Sequence, residues 1–277
     1  MEIWHRITFG HRDNVDSIIE SLNIKHERSP LPGGGYLIHI DITESDPQWP
    51  RILELVQEKN ALDIYDTFFT EPEILSAEWV RLIPIFEQGY PQPEATWVTN
   101  PINYAGKCRQ CGAGFRQVAP FRLAKEPRMG KHDFLCLYWT YTVFVTPRVV
   151  EALRAAHIQG FDVWEAVIGK RNPRPSQMVS QLIFPRLAGP GLLAEGELLQ
   201  ETCPECGTTK YGYHKRGYMR FRRSALPEGV DFVQTWEWFG AGGRSAHREI
   251  LVSQRVARLI IEQGWRGVRL KPLQLVE

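Results

Sequence analysis

Along the first seventy residues the hydrophobic pattern switches between two periods. Ile3 to Phe9 reads as a strand, and Asn14 to Leu22 then places Val15, Ile18, Ile19 and Leu22 at helical spacing. After a turn at Ser29-Pro30-Leu31-Pro32-Gly33-Gly34-Gly35, the run Tyr36 to Ile42 alternates as a half-buried strand does. Asp46-Pro47 opens a helix through Ile52, Leu53, Leu55 and Val56, and Ile64 to Phe69 supplies another strand. With Ile38 to Ile42 as one arm of a hairpin, the order becomes strand, helix, strand, strand, helix, strand. That is the split arrangement of a ferredoxin-like βαββαβ sheet, a fold that hosts many functions and implies none. The triple glycine precedes a strand and lacks the Lys-Ser/Thr of a phosphate loop, so a hairpin turn is its expected role. Ala77 to Ile85 reads as one more strand, leading into the proline-marked stretch Gly89 to Glu94. The expected division therefore falls near residue 98, giving an acidic domain over 1–98 and a second domain over 99–277.

Farther along, a pattern recurs. Val145-Thr146-Pro147-Arg148-Val149-Val150 and Val252-Ser253-Gln254-Arg255-Val256-Ala257 each give a strand end, a hydroxyl residue and an Arg-Val helix start, 107 residues apart. The match runs on to Gly160 and Gly267, each followed by an apolar-charged-apolar triplet. Asp133-Phe134-Leu135 matches Asp231-Phe232-Val233 at an offset of 98, and two cysteine pairs match at 95. Order kept over such distances points to an internal duplication, about 108–167 and 203–273, in which each copy runs knuckle, hairpin, capped helix and strand. Thr146 and Ser253 sit as N-caps, with hydroxyls expected on free helix N–H groups rather than in catalysis.

The cysteine pairs carry the clearest chemistry. Cys108-Arg109-Gln110-Cys111-Gly112 and Cys203-Pro204-Glu205-Cys206-Gly207 hold four of the five cysteines. Two intervening residues let a tight turn aim both sulfurs at one ion, and the following glycine suits the left-handed backbone such a turn needs. Each pair supplies half a tetrahedron, so Cys108, Cys111, Cys203 and Cys206 are expected to hold one structural Zn2+ in a split, zinc-ribbon-like site. Four thiolates would leave no open position for substrate or water. A dithiol redox couple and four separate buried thiols compete with this reading, but two copies each followed by glycine fit a metal knuckle better.

Composition narrows the setting. A chain of 277 residues with 43% hydrophobic content can bury sizeable cores, and no stretch approaches the ~20 apolar residues of a membrane span. The start Met1-Glu2-Ile3-Trp4-His5-Arg6 lacks a secretion signal, and zinc-binding thiols suit a reducing compartment, so the expected location is the cytoplasm. The net charge of +1 conceals an asymmetry: residues 1–100 hold 7 Lys and Arg against 17 Asp and Glu, and the rest 26 against 15. Such a split suggests two units with different surfaces.

Among other candidates, Tyr213 to Arg223 combines Lys215, Arg216, Arg220, Arg222 and Arg223 with three aromatics. These cations could neutralise nucleic-acid phosphates while Tyr218 or Phe221 stacks on a base; the competing reading is a strand with a basic solvated face. Cys136 reads as a small buried hydrophobe. The loop Gly240 to Arg244 could take an anion, though a hairpin connection explains it without one. No nucleophile–base pair or carboxylate cluster stands out, so no catalytic residue is assigned.

The two CxxCG knuckles, the aromatic strands and the final Val-Ser-x-Arg-Val helix ending in Gly-x-Arg-Leu make residues 99–277 resemble a bacterial double-CxxCG family. Members are associated with immunity to polymorphic, contact-delivered toxins. The resemblance rests on Cys108, Cys111, Gly112, Cys203, Cys206 and Gly207, and does not cover residues 1–98. It implies a non-enzymatic cytoplasmic protein that binds and neutralises a cognate toxin. A zinc-ribbon nucleic-acid binder is the alternative.

Overall fold

A computed structural model of the chain describes residues 1–97, 102–194, 198–240 and 242–277, and the fold is α+β. The chain forms two compact units, Met1–Thr70 with Lys215–Gly217, and Glu71–His214 with Tyr218–Glu277.

The smaller unit runs β1 (Glu2–Gly10), α1 (Asp16–Ser21), β2 (His26–Pro30), β3 (Tyr36–Thr43), α2 (Trp49–Lys59) and β4 (Leu62–Phe68). Its sheet has the order β2-β3-β1-β4 with every pairing antiparallel. Alternation decides which face is buried: Ile7 and Phe9 of β1 lie opposite Ile40 and Ile38 of β3, all four fully buried. Val15, Ile19, Ile52 and Leu55 cover them from the helical segments. Each such side chain is worth about 1.5–3 kcal/mol relative to exposure, which makes this apolar layer the main support of the unit. The triple glycine lies in the hairpin turn between β2 and β3.

Lys215–Gly217 joins this unit through hydrogen bonds. The Thr67 hydroxyl donates to the Lys215 carbonyl at 2.8 Å and accepts from Gly217 N–H at 2.8 Å, while Arg216 pairs with Glu44 at 2.7 Å.

The larger unit opens with α3 (Glu71–Ser76) and β5 (Trp79–Pro84). The division thus falls at residue 70 rather than 98, and residue 98 itself lies outside the described residues. The reason is pairing: β5 is the middle strand of a sheet made with the end of the chain. That sheet has the order β15 (Met219–Arg222), β19 (Val268–Val276), β5, β18 (Ile250–Ser253), β16 (Phe232–Gln234). A second five-stranded sheet has the order β8 (Arg122–Leu123), β11 (Asp162–Ile168), β12 (Arg174–Ile183), β10 (Val143–Val145), β9 (Phe134–Leu135). Both sheets have one parallel edge pair, β8 with β11 and β15 with β19, and are otherwise antiparallel. Short ladders complete the unit: β6 (Tyr104–Ala105) with β7 (Arg116–Gln117), and β13 (Gln200–Thr202), β14 (Thr209–Tyr211) and β17 (Trp238–Phe239).

Helices α4 (Pro147–Ala155) and α5 (Gln254–Glu262) each follow a strand directly, with Thr146 and Ser253 as N-cap residues. The capping expectation needs correction, because neither hydroxyl bonds a helix N–H. The Thr146 hydroxyl donates to Asp133 at 3.3 Å and that of Ser253 to Asp231 at 2.7 Å. These buried aspartates also accept from Arg148 Nε (2.5 Å) and Arg255 (3.1 Å), and from the backbone N–H groups of Arg266 (3.2 Å) and Gln159 (2.9 Å). The hydroxyl protons thus go to carboxylates, which take stronger, charge-assisted bonds than a neutral acceptor would. Among the described residues no helix is long and apolar enough to cross a membrane.

Candidate metal centre

The first knuckle lies between β6 and β7, and the second between β13 and β14. In each, the backbone closes on itself twice. Gly112 N–H donates to Cys108 O at 3.0 Å and Cys108 N–H to Ala113 O at 2.9 Å; Gly207 N–H donates to Cys203 O at 2.9 Å and Cys203 N–H to Thr208 O at 3.0 Å. Both glycines have positive φ, 79° and 70°, where a side chain is strained. At Gly112 there is a second reason, since an added Cβ would overlap the Arg244 carbonyl.

The turns bring the four sulfurs together, all within 4.8 Å of one another. Cys108 and Cys203 Sγ are 4.0 Å apart, and Cys111 and Cys206 Sγ 3.6 Å. A tetrahedron of Zn–S bonds about 2.3 Å long has sulfurs about 3.8 Å apart, so the residues fit a four-thiolate zinc centre. They also fit its chemistry. As bare thiols the ligands are ill-matched: burial pushes Cys111 up to about 12, while the Thr208 hydroxyl holds exposed Cys206 down to about 6. A divalent cation among them favours the thiolate form of all four.

Surrounding contacts fasten the centre. Trp238 and Ala113 pack with Cys111 and Cys203 in a small apolar cluster. Lys210, 3% exposed, donates to the carbonyls of Cys111 (3.4 Å), Gly243 (3.2 Å), Ser245 (3.1 Å) and Gly242. The glycine loop after β17 therefore presents carbonyls to a cation of its own chain rather than amides to an anion. Its ends meet through the antiparallel bridge of Phe239 with His247. The sequence signal for this lysine is weak, because its partners lie more than thirty residues away.

Cys136 stands apart from the other cysteines, 2% exposed, with its thiol donating to Thr140 O at 3.0 Å and pushed up to about 12 by burial.

The five basic candidates divide between the two units. Lys215 and Arg216 belong to the smaller unit, and Arg220, Arg222 and Arg223 to the larger. Arg216 is paired with Glu44, and Arg223 with Glu78 (2.8 Å) and Glu277 (3.0 Å). In β15, Met219 and Phe221 point into the core while Arg222 is exposed, the alternation of an ordinary edge strand. Phe221 is fully buried and cannot stack on a base. Compared with known proteins, the chain matches no family model and no curated protein.

Proposed function

We propose that the chain is a non-catalytic binding protein whose larger unit is organised by one structural zinc, and that it acts as an immunity protein neutralising a cognate bacterial toxin in the cytoplasm. The convergence of four cysteines into a set that fills a tetrahedron supports the structural role of the metal, since such a centre leaves no open coordination position for a reacting molecule. The toxin comes from the double-CxxCG resemblance alone. Residues 1–70 hold 12 Asp and Glu against 6 Lys and Arg, which suits capture of a basic partner.

Two architectural readings accompany this. The smaller unit is ferredoxin-like, a reading supported by its β2-β3-β1-β4 antiparallel order. The larger unit is an internal duplication whose copies exchange their leading strands. In its support, Ile250 pairs with Leu82 where Val143 pairs with Leu182, and Leu270 pairs with Leu82 where Val163 pairs with Leu182. Arg81, Leu82 and Ile83 of β5 thereby correspond to Gln181, Leu182 and Ile183 of β12, each strand lying in the sheet of the other copy. Asp133 and Asp231 bind the opposite copy's loop in the same way.

Co-expression with a toxin encoded beside it tests the function. Protection of the host and a recoverable complex are expected; the absence of both would overturn it. The nucleic-acid alternative draws less support, with Arg216 and Arg223 paired to carboxylates, and predicts salt-sensitive DNA or RNA binding lost on neutralising Arg220, Arg222 and Arg223.

A further inference from the structure

The four cysteines of the metal centre are not equally sheltered. Cys111 and Cys203 are buried and Cys108 is partly covered, whereas Cys206 is exposed. The difference is built into the two turns. In the first, the glycine loop closes over Gly112, whose missing Cβ leaves room for the Arg244 carbonyl. Arg244 to His247 then line, with Tyr104, Phe115, Trp139 and Tyr213, a cavity of about 570 Å³ in the larger unit. Among its described lining residues none is a knuckle cysteine, so the cavity gives no approach to these sulfurs. In the second turn, Pro204, Glu205, Cys206 and Gly207 are all exposed between β13 and β14, and the described residues place nothing within 4 Å of a Cβ at Gly207. A reagent arriving from solvent therefore meets the Cys206 sulfur first.

The thiolate is the form of cysteine that peroxides attack, and a metal ligand is held in that form. A partner for the oxidised sulfur is at hand. Cys111 Sγ lies 3.6 Å from Cys206 Sγ, closer than the 4.0 Å between Cys108 and Cys203. A disulfide is about 2.05 Å long, so these two sulfurs need to close by only about 1.5 Å. Cys136, 2% exposed and with its thiol on the Thr140 carbonyl, is sheltered from the same chemistry.

We propose that Cys206 is a peroxide-reactive modification site, through which oxidation converts the metal centre into a Cys111–Cys206 disulfide. The Cys206 sulfur attacks one oxygen of hydrogen peroxide, the O–O bond breaks and hydroxide leaves, giving a sulfenic acid. The Cys111 thiolate then attacks that sulfur; the S–S bond forms, the S–O bond breaks and a second hydroxide leaves. Two electrons pass from the sulfurs to the peroxide. Two of the four thiolates are thereby withdrawn from the ion, and the remaining pair no longer closes a tetrahedron. The new bond joins the knuckles across the same 95 residues, so the cross-link outlasts the metal and a dithiol reverses the change. The inference rests on the structural-zinc reading.

The test adds hydrogen peroxide to the zinc-replete full chain, follows the metal with a chromogenic chelator, traps sulfenic acid with dimedone and maps the cysteines by mass spectrometry. Zinc should leave in step with the loss of two thiols, with the first dimedone adduct on Cys206 and the disulfide between Cys111 and Cys206. Dithiothreitol and added zinc should restore the starting state. Cys206→His keeps a set of three cysteines and one histidine, which also holds zinc, and should release the metal at least about tenfold more slowly. Cys136→Ala should release it at the native rate. First oxidation at another cysteine, a disulfide within either knuckle, metal retained after two thiols are lost, or a native release rate in Cys206→His would overturn the proposal. A native chain that holds no zinc before peroxide is added would overturn the zinc reading itself, and this inference with it.

Discussion

Replacing Cys203 by Ser removes one sulfur from a buried position and should release the metal. The structure sets the scale of the loss. Cys108 and Cys203 are 95 residues apart in sequence and 4.0 Å apart in space, so an ion joining them closes a long loop in the unfolded chain as a covalent cross-link would. By the chain-entropy relation for cross-links, a loop of that length is worth about 4.7 kcal/mol at 25 °C. A loss of that order, with a urea dependence of about 3 kcal/mol/M, moves the midpoint of unfolding down by roughly 1.5 M. Trp238 packs against Cys111 and Cys203, so tryptophan emission follows the relevant transition. Metal analysis should give one zinc per chain for the native protein and none for Cys203→Ser, while Cys136→Ala, outside the centre, keeps its zinc. If chelation of the native protein left the urea midpoint where it was, the loop-closing argument would be wrong. Zinc retained by Cys203→Ser would refute the ligand assignment itself.

Two further outcomes follow from the geometry. Gly112→Ala should destabilise the larger unit by more than the roughly 1–3 kcal/mol set by backbone strain, because its Cβ also meets the Arg244 carbonyl, whereas Gly207→Ala meets nothing within 4 Å among the described residues and should show the strain alone; denaturation midpoints of the two variants compare them directly. Burial, with Arg81 and Lys271 nearby, lowers the His214 imidazole to about 4 from 6.5. The unfolded histidine takes its proton near pH 6.5 and the folded one near pH 4, so between these values the unfolded state binds more protons and stability falls as pH falls. The full effect is at most about 3 kcal/mol and is reduced by residual solvent contact. His214→Gln should flatten that part of the stability–pH profile, and an unchanged slope between pH 6.5 and 4 would refute the assignment.

The features legible in the sequence are those written locally. A CxxCG turn carries its own geometry, and the alternation in β1 and β3 and the helical spacing around Ile19 and Ile52 are short-range signals. What escaped was membership and partnership. Trp79–Pro84 reads plainly as a strand, yet nothing in its six residues says that its neighbours are β18 and β19, so the proline-rich stretch after it reads as a boundary. The cap positions of Thr146 and Ser253 were legible, but not the aspartates 13 and 22 residues upstream that take their hydroxyl protons. Tyr213–Arg223 reads as a basic segment, and only the fold reveals that Arg216 and Arg223 already have carboxylates. The cavity escaped for the same reason, since Tyr104, Trp139, Tyr213 and His247 come from four separate stretches.

The four-cysteine cluster and the cavity share a wall, and that has a measurable consequence. Tyr104, Lys107 and Phe115 flank the first knuckle, while Arg244 to His247 are tied to it by the contact at Gly112 and by Lys210, which bonds both Cys111 and the glycine loop. The two five-stranded sheets have cores of their own, built from residues such as Phe121, Phe144 and Val179 in one and Phe221, Val233 and Leu251 in the other. Removing zinc should therefore loosen the cavity wall before it melts the sheets. For chelated protein kept below its denaturation midpoint, far-UV circular dichroism should stay nearly native while near-UV dichroism from the aromatic residues of the wall is lost. Near-UV dichroism that survived chelation intact would show that the sheets alone hold the aromatic residues in place, and that the knuckles contribute to stability without shaping the cavity.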